Sequence, residues 1–384
     1  MSFTSLYVHI PFCLSKCNYC DFISFPADLQ DKRFGEYLKL LKKELLLRTE
    51  KKKDLLGGLS TIYFGGGTPS LLAAEDLAVF LRFVLALAND PQAQRIEEIT
   101  IEVNPATVDL EKLTLLRQAG FNRISIGVQS FSDPMLEQMG RRHTAGDGKK
   151  TVALAKEAGF DNISLDLIYS LPEQDMQNWH DQLQTAVALD CQHISLYGLT
   201  LSAETVWGIA HEHGRLILPD EDLCADMQQF ASQFFQDNGY VHYEIANYAK
   251  QGYHSRHNCA YWQRCYYLGI GVNASSCYGN VRWRNFDTLK DYENAVCNGI
   301  STIAQEEHLT EEQVLSESVF LGLRMMRGIA IKEWNARYQC DLEQYFFDAI
   351  TQNIKRGLLQ EADETLSLTE KGIPLANEVF VDFV

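Results

Sequence analysis

Three cysteines lie close together near the start of the chain. Cys13, Cys17 and Cys20 form a Cys-x3-Cys-x2-Cys run within Tyr7-Val-His-Ile-Pro-Phe-Cys13-Leu-Ser-Lys-Cys17-Asn-Tyr-Cys20-Asp-Phe22, directly after a short apolar strand signal, Ser5 to Ile10. Three thiolates on one tight loop can hold a metal centre, yet they leave a four-ligand site one ligand short. A structural zinc site closes with a fourth protein ligand, and [4Fe–4S] clusters commonly take four cysteines. A cluster held by only three keeps an open iron, which can bind and activate a ligand. Two alternatives stand beside this reading: a zinc knuckle completed by His9 or a distant side chain, and three unrelated thiols.

A second set of polar residues falls where strand signals end. Gly65-Gly66-Gly67-Thr68-Pro69 follows the run Thr61-Ile-Tyr-Phe64, Glu102 ends Ile99-Thr-Ile-Glu-Val, and Gln129 ends Asn122-Arg-Ile-Ser-Ile-Gly-Val-Gln. Asp166 lies on Ile163-Ser-Leu-Asp-Leu-Ile168, and Arg141 follows in the loop after Gln129. Each has an ordinary explanation, as a tight turn, a cap partner or a surface charge. In parallel α/β architectures, however, ligands bind at the carboxyl ends of the strands. Together these residues would line one rim with backbone N–H donors, two carboxylates, an amide and a guanidinium. That set suits a zwitterionic, ribose-bearing ligand better than an apolar one.

The elements that must position these residues alternate strand and helix over the first two-thirds of the chain. Apolar residues recur at helical spacing over 31–53, 76–88, 109–119, 148–158 and 178–189, and the strand signals lie between them, with a sixth at His193 to Tyr197. Such alternation implies right-handed βαβ units and a parallel sheet. Six units are too few for a closed eight-stranded barrel, so the expectation is an open, partial (β/α)6 TIM-like barrel, with a doubly wound sheet as the alternative. Further on, 243–248 reads as a strand and 266–276 as a close-packed connector. From about Leu309 an amphipathic helix (310–326), helices over 331–338 and 342–356, two short strands at 358–361 and 365–369, and a last helix from Glu370 resemble a winged helix. The expected division is 1–235 for the barrel, 236–308 for a connecting segment and 309–384 for a mostly helical, winged-helix-like domain.

Composition bounds the function. With 384 residues and 46% hydrophobic content the chain can bury a large core. A net charge of −17 argues against a nucleic-acid face, which needs clustered Lys and Arg. The basic runs Lys51-Lys52-Lys53 and Arg141-Arg142 are read as solvated surface. Ten cysteines in a chain of this length suit a reducing compartment. No signal peptide or span-length apolar run is visible, so the expected location is cytoplasmic.

These motifs carry a family resemblance. The cysteine run after a first strand, with Gly-Gly-Gly-Thr-Pro after the second, resembles the radical S-adenosylmethionine (SAM) superfamily, in which SAM chelates the open iron of a [4Fe–4S] cluster. More specifically, Tyr7-Val-His-Ile-Pro-Phe-Cys, Ile101-Glu-Val-Asn-Pro105 and Ser125-Ile-Gly-Val-Gln-Ser-Phe131 resemble the coproporphyrinogen III dehydrogenase-like branch. The resemblance implies that Cys13, Cys17 and Cys20 ligate the cluster and that Tyr7, Gly66 and Glu102 contact the bound SAM. It implies further that Tyr19, Gly67, Thr68, Gln129, Arg141 and Asp166 line a neighbouring second SAM site.

Two departures separate the chain from the dehydrogenase itself. Its cysteine run would continue with a fourth cysteine where Phe22 stands, and the motif begins almost at Met1 without that enzyme's N-terminal extension. Both features are similar to the HemW branch of haem chaperones, and they argue against dehydrogenase activity. His257-Asn258-Cys259-Ala-Tyr261-Trp262 is similar to that branch's haem-associated motif. An imidazole can ligate haem iron and flat rings can pack on a porphyrin. His257 is the expected haem contact, with His254 and Cys259 as competitors, and a partly buried aromatic cluster is the structural alternative. The expected function is therefore a haem chaperone that binds haem, a [4Fe–4S] cluster and SAM, with no catalytic residue assigned. It would deliver haem to recipients such as membrane-bound respiratory proteins, touching the inner membrane only through them; a homodimer is left open. The alternative is a radical enzyme, in which reductive cleavage of SAM yields a 5′-deoxyadenosyl radical that takes hydrogen from a porphyrinogen.

Overall fold

The computed structural model describes residues 2–51, 54–90 and 95–384; in the basic run at 51–53, Lys52 and Lys53 lie outside them. Six strands occupy the expected places: β1 (Ser5–Ile10), β2 (Thr61–Gly66), β3 (Glu98–Val103), β4 (Arg123–Gln129), β5 (Ile163–Tyr169) and β6 (His193–Gly198). They pair in sequence order and in parallel. Helices Arg33–Lys51, Ala74–Leu87, Leu110–Ala119, Ala145–Glu157 and Met176–Ala188 make the five crossovers. The partial (β/α)6 barrel is the core of the fold.

The strands alternate strictly, and the alternation explains both the core and the site. Leu6, Val8 and Ile10, Ile62 and Phe64, Ile99 and Ile101, Ile124 and Ile126, Ile163 and Leu165, and Ile194 and Leu196 join one buried core with the helix faces. Side chains of the opposite parity face the barrel interior, because successive strand residues point to opposite faces. These are polar almost throughout: Ser5, Thr61, Glu98, Thr100, Arg123, Ser125, Ser164, His193 and Ser195 are all buried.

The sheet extends past the six strands at both edges. On one side β7 (Val241–Glu244) and β8 (Asn247–Ala249) form an antiparallel pair whose β8 adds antiparallel to β6. On the other, β9 (Tyr267–Ile270) runs parallel to β1, and β10 (Ser275–Tyr278), β11 (Val281–Asn285) and β12 (Ile303–His308) continue antiparallel. Two expectations change here. The stretch 243–248 is a tight hairpin rather than one strand, because the buried Glu244 carboxylate accepts from the Ala246 N–H and from the Asn247 amide and folds the backbone back. The stretch 266–276 is a strand pair rather than a connector. Gly269 permits it, since a Cβ there would stand 2.2 Å from the Ser275 carbonyl oxygen.

The C-terminal region has its own apolar core, built on Val319, Leu323, Ile331, Trp334, Leu342, Ile350, Leu366 and Val379. Helices Glu311–Gly322, Ile331–Tyr338, Leu342–Tyr345 and Phe347–Arg356 lead into a three-stranded sheet of Ile329–Ala330, Thr365–Leu368 and Leu359–Ala362. The last helix starts at Ala376 rather than Glu370: Thr369 Oγ1 caps the turn at Gly372, and Pro374 disfavours helical backbone before it. Buried Arg264 and half-exposed Arg282 both pair with Glu317, and Arg324 lies 4.1 Å over the Trp262 ring, tying this region to the barrel. No helix among the described residues is long and apolar enough to cross a membrane.

Candidate functional site

A cavity of about 440 Å³ opens at the carboxyl ends of the strands. Its wall includes Cys13, Cys17, Cys20, Tyr19, Gly66, Gly67, Thr68, Glu102, Gln129, Arg141 and Asp166. Residues drawn from four strands and from the segments that follow β1, β2 and β4 thus meet in one space. Tyr7 stands just behind the wall, stacked on the cavity residue Tyr63 with ring centroids 6.1 Å apart.

The cysteine loop is held from both sides. Phe12 is fully buried against Phe34 and Tyr37, and Phe12–Cys13 pairs with Phe25–Pro26. Across the cavity, the Asn18 N–H donates to the Met139 carbonyl and the Asn18 amide to Gln138, so the loop is pinned to the turn that carries Arg141. Arg141 Nη2 donates to the Gly127 carbonyl at 2.6 Å and Nη1 points at Cys17 Sγ, 3.6 Å away. Thr68 Oγ1 lies 3.5 Å from Cys13 Sγ. Burial pushes the Cys20 thiol up to about 11 and raises that of Cys13, against which Thr68, Ser24 and Arg141 act in the other direction.

The donor set fits a cluster better than a single ion. Among the described residues no three His, Cys, Asp or Glu side chains converge as for one metal ion. A cuboidal cluster does not ask for that convergence, since each thiolate takes its own iron. His9, a candidate partner in the zinc alternative, is buried, with its Nδ1 3.1 Å from the Tyr7 hydroxyl and its Nε2 without a hydrogen-bond partner among the described residues.

The glycine run is required by packing. Gly66 has φ +115°, where L side chains are strained, and a Cβ there would stand 2.6 Å from the His9 ring. Its N–H donates to Glu102 Oε2 at 3.1 Å while the Tyr63 hydroxyl donates to Oε1 at 2.9 Å. Even so, burial, with Asp166 acting in the same direction, lifts Glu102 to about 7. Asp166, also raised by burial, accepts from Ser125 Oγ at 3.1 Å. Gln129 takes φ +66° at an irregularity in the β4–β5 register, which turns its side chain into the cavity.

His257 is not brought to this cavity. It belongs to the helix Arg256–Trp262, which closes the opposite, amino-terminal end of the barrel. The residue is 1% exposed, and its ring nitrogens meet Thr61 Oγ1 at 2.8 Å and the Tyr261 hydroxyl at 2.9 Å. Burial, then the charge of Arg123, lowers its pKa to about 3, so the ring is neutral. Its ring centroid lies 5.0 Å from that of Tyr63, whose hydroxyl holds Glu102. Of the competing ligands, Cys259 packs in a small cluster with Tyr243, Met325 and Trp262, and His254 stacks on Tyr243 at 4.2 Å. From this motif only Asn258 reaches the cavity wall.

The strand-end argument overlooked Tyr63, Arg123, Ser125, Ser195 and Tyr197, all of which line the cavity. The signal was present as alternation: each lies in phase with an interior-facing neighbour on its strand. Phe22, 64% exposed, stands at the rim.

Comparison with known proteins agrees with this geometry. Residues 7–186 match the radical SAM superfamily, and residues 309–375 match the HemN C-terminal domain. The chain is 35% identical to heme chaperone HemW of Lactococcus lactis subsp. lactis over 99% of its own length and 97% of that protein. It is 34% identical to heme chaperone HemW of Bacillus subtilis, over 99% of both chains. Among solved structures, coproporphyrinogen III oxidase (HemN) from Escherichia coli, described as a radical SAM enzyme, superposes with a TM-score of 0.81 over 100% of this chain and 90% of that one. At 23% identity that likeness speaks for the fold.

Proposed function

Because the chain belongs to the HemW family of the radical SAM superfamily, we propose that it is a haem chaperone carrying a [4Fe–4S] cluster and SAM. The observation that carries the reading is the cavity in which three thiols meet two carboxylates, an amide and Arg141. Cys13, Cys17 and Cys20 would hold the cluster, whose open iron supplies a binding point and, when reduced, an electron. Glu102, fixed by Tyr63 and Gly66, would accept from an ammonium or from ribose hydroxyls. Asp166 and Gln129 would take the remaining polar groups, and Arg141 would screen the thiolate charge beside Cys17.

Haem would dock at the mouth, where exposed Phe22 and Tyr197 offer flat faces above a polar interior. It would then pass to recipient haem proteins, membrane-bound respiratory subunits among them, from a cytoplasmic protein. Ligation of iron by His257 would require the helix 256–262 to leave the barrel floor and give up both imidazole bonds. The test is anaerobic titration of the cluster-reconstituted protein with haem and with SAM, 5′-deoxyadenosine being measured in the same samples. Stoichiometric haem binding is expected, without conversion of coproporphyrinogen III to protoporphyrinogen IX. Sustained turnover of that substrate would replace the chaperone reading with the enzymatic one.

A further inference from the structure

Arg123 opens β4 and sits at the floor of the cavity, 2% exposed and part of its wall. Its Nε finds no hydrogen-bond partner, and among the described residues no carboxylate forms an ion pair with it. An arginine stays charged at any ordinary pH; Glu98 and Asp166 offset the burial of that charge without reaching ion-pair distance, and a buried N–H without an acceptor remains costly. Each nearby carboxylate is already held by other donors. Glu98 accepts from the N–H groups of Arg256 and His257, Glu102 from Tyr63 and Gly66, and Asp166 from Ser125 and Ser164. Arg123 thus lines the cavity with a guanidinium whose Nε is unused by any of them.

We infer that Arg123 is a binding residue for a carboxylate arm of the ligand that fills this cavity. A guanidinium matches a carboxylate in shape and charge. A phosphate dianion fits less well, because Glu102 and Asp166 flank the same space and would repel the second charge. The inference rests on the proposed function for its candidate ligands, of which two carry such an arm: SAM, through its amino-acid carboxylate, and haem, through its propionates.

The test compares each ligand with its counterpart lacking the acid: SAM with decarboxylated SAM, and haem with its dimethyl ester. Binding to full-length, cluster-reconstituted wild type, Arg123→Gln and Arg123→Lys is measured by titration. For one acid form, Arg123→Gln should weaken binding by about 10- to 100-fold, the range for a charged hydrogen bond, with its counterpart unaffected. Arg123→Lys, which keeps the charge, should retain most of the affinity. The pair that responds names the source of the carboxylate. Equal losses for the acid and its counterpart, or no loss in either pair, would overturn the inference and leave Arg123 a structural charge. If wild type takes SAM but not haem, the chaperone reading fails while the SAM pair still judges Arg123. Binding of neither ligand overturns both.

Discussion

The two ends of one barrel make opposite use of the same polar interior. At the amino-terminal end, a set of buried polar groups is matched inside the chain. Glu98 takes two backbone amides of the closing helix, Thr61 meets His257, and Ser164 meets His193, which meets the Tyr243 hydroxyl. At the carboxyl-terminal end, Arg141 keeps an unpaired Nε and burial raises Glu102 to about 7; Arg123, which starts its strand at the floor, keeps its Nε unpaired as well. Buried polar groups that find partners within the chain serve stability, whereas those left short of partners on a cavity wall are open to a ligand. On this criterion His257, marked by its motif for haem, falls with the floor.

The largest effect should come from the mouth and touch function alone. Replacing Cys13, Cys17 and Cys20 together by alanine should abolish the cluster absorption of the reconstituted protein and, with it, tight SAM binding. Thermal unfolding of the cluster-free protein should barely move, because these side chains are only partly buried. A [4Fe–4S] spectrum that survives the triple change would mean that the ligands lie elsewhere.

The floor should show the reverse pattern. Glu98→Ala leaves two amides without their acceptor, and His257→Ala removes two buried hydrogen bonds and a ring packed on Tyr63; each should cost about 3 kcal/mol in urea unfolding. Folded His257→Ala protein should still take up haem. Lost haem binding with unchanged stability would make His257 a ligand after all and break the contrast between the two ends.

Much of this was legible in the sequence, and what escaped did so for physical reasons. Strand order and the rim residues followed from βαβ alternation, because a parallel sheet places its strand ends on one side. Arg123 escaped because it starts its strand, where the strand-end rule does not look, although a charge inside Asn122-Arg-Ile-Ser-Ile-Gly was itself a mark of a polar interior. The hairpin at 245–246 depends on Glu244 accepting from its own chain, and the β9 pairing on contacts across more than 250 residues; neither leaves a local pattern. His257 could be read from its motif as a residue of consequence, but which barrel end it faces is set by the helix 256–262 docking on Glu98.

Glu102 offers the finest test, because one group should drive two quantities in opposite directions. Burial lifts its carboxyl to about 7, above the ordinary glutamate value. Between that ordinary value and about 7 the folded protein keeps a proton that the unfolded chain has released, so its contribution to ligand-free stability is lost as pH rises through this window. An ammonium-bearing ligand needs the ionised form, so SAM affinity should rise over the upper part of the same range. With half-ionisation near pH 7, the ionised fraction grows about tenfold from pH 6 to pH 8, and affinity should follow. Both slopes should vanish in Glu102→Gln, and the wild-type minus variant difference removes what other groups contribute. If affinity were flat while stability kept its slope, Glu102 would be a buried acid of the barrel rather than a contact of the ligand, and the line between its two ends would shift towards the mouth.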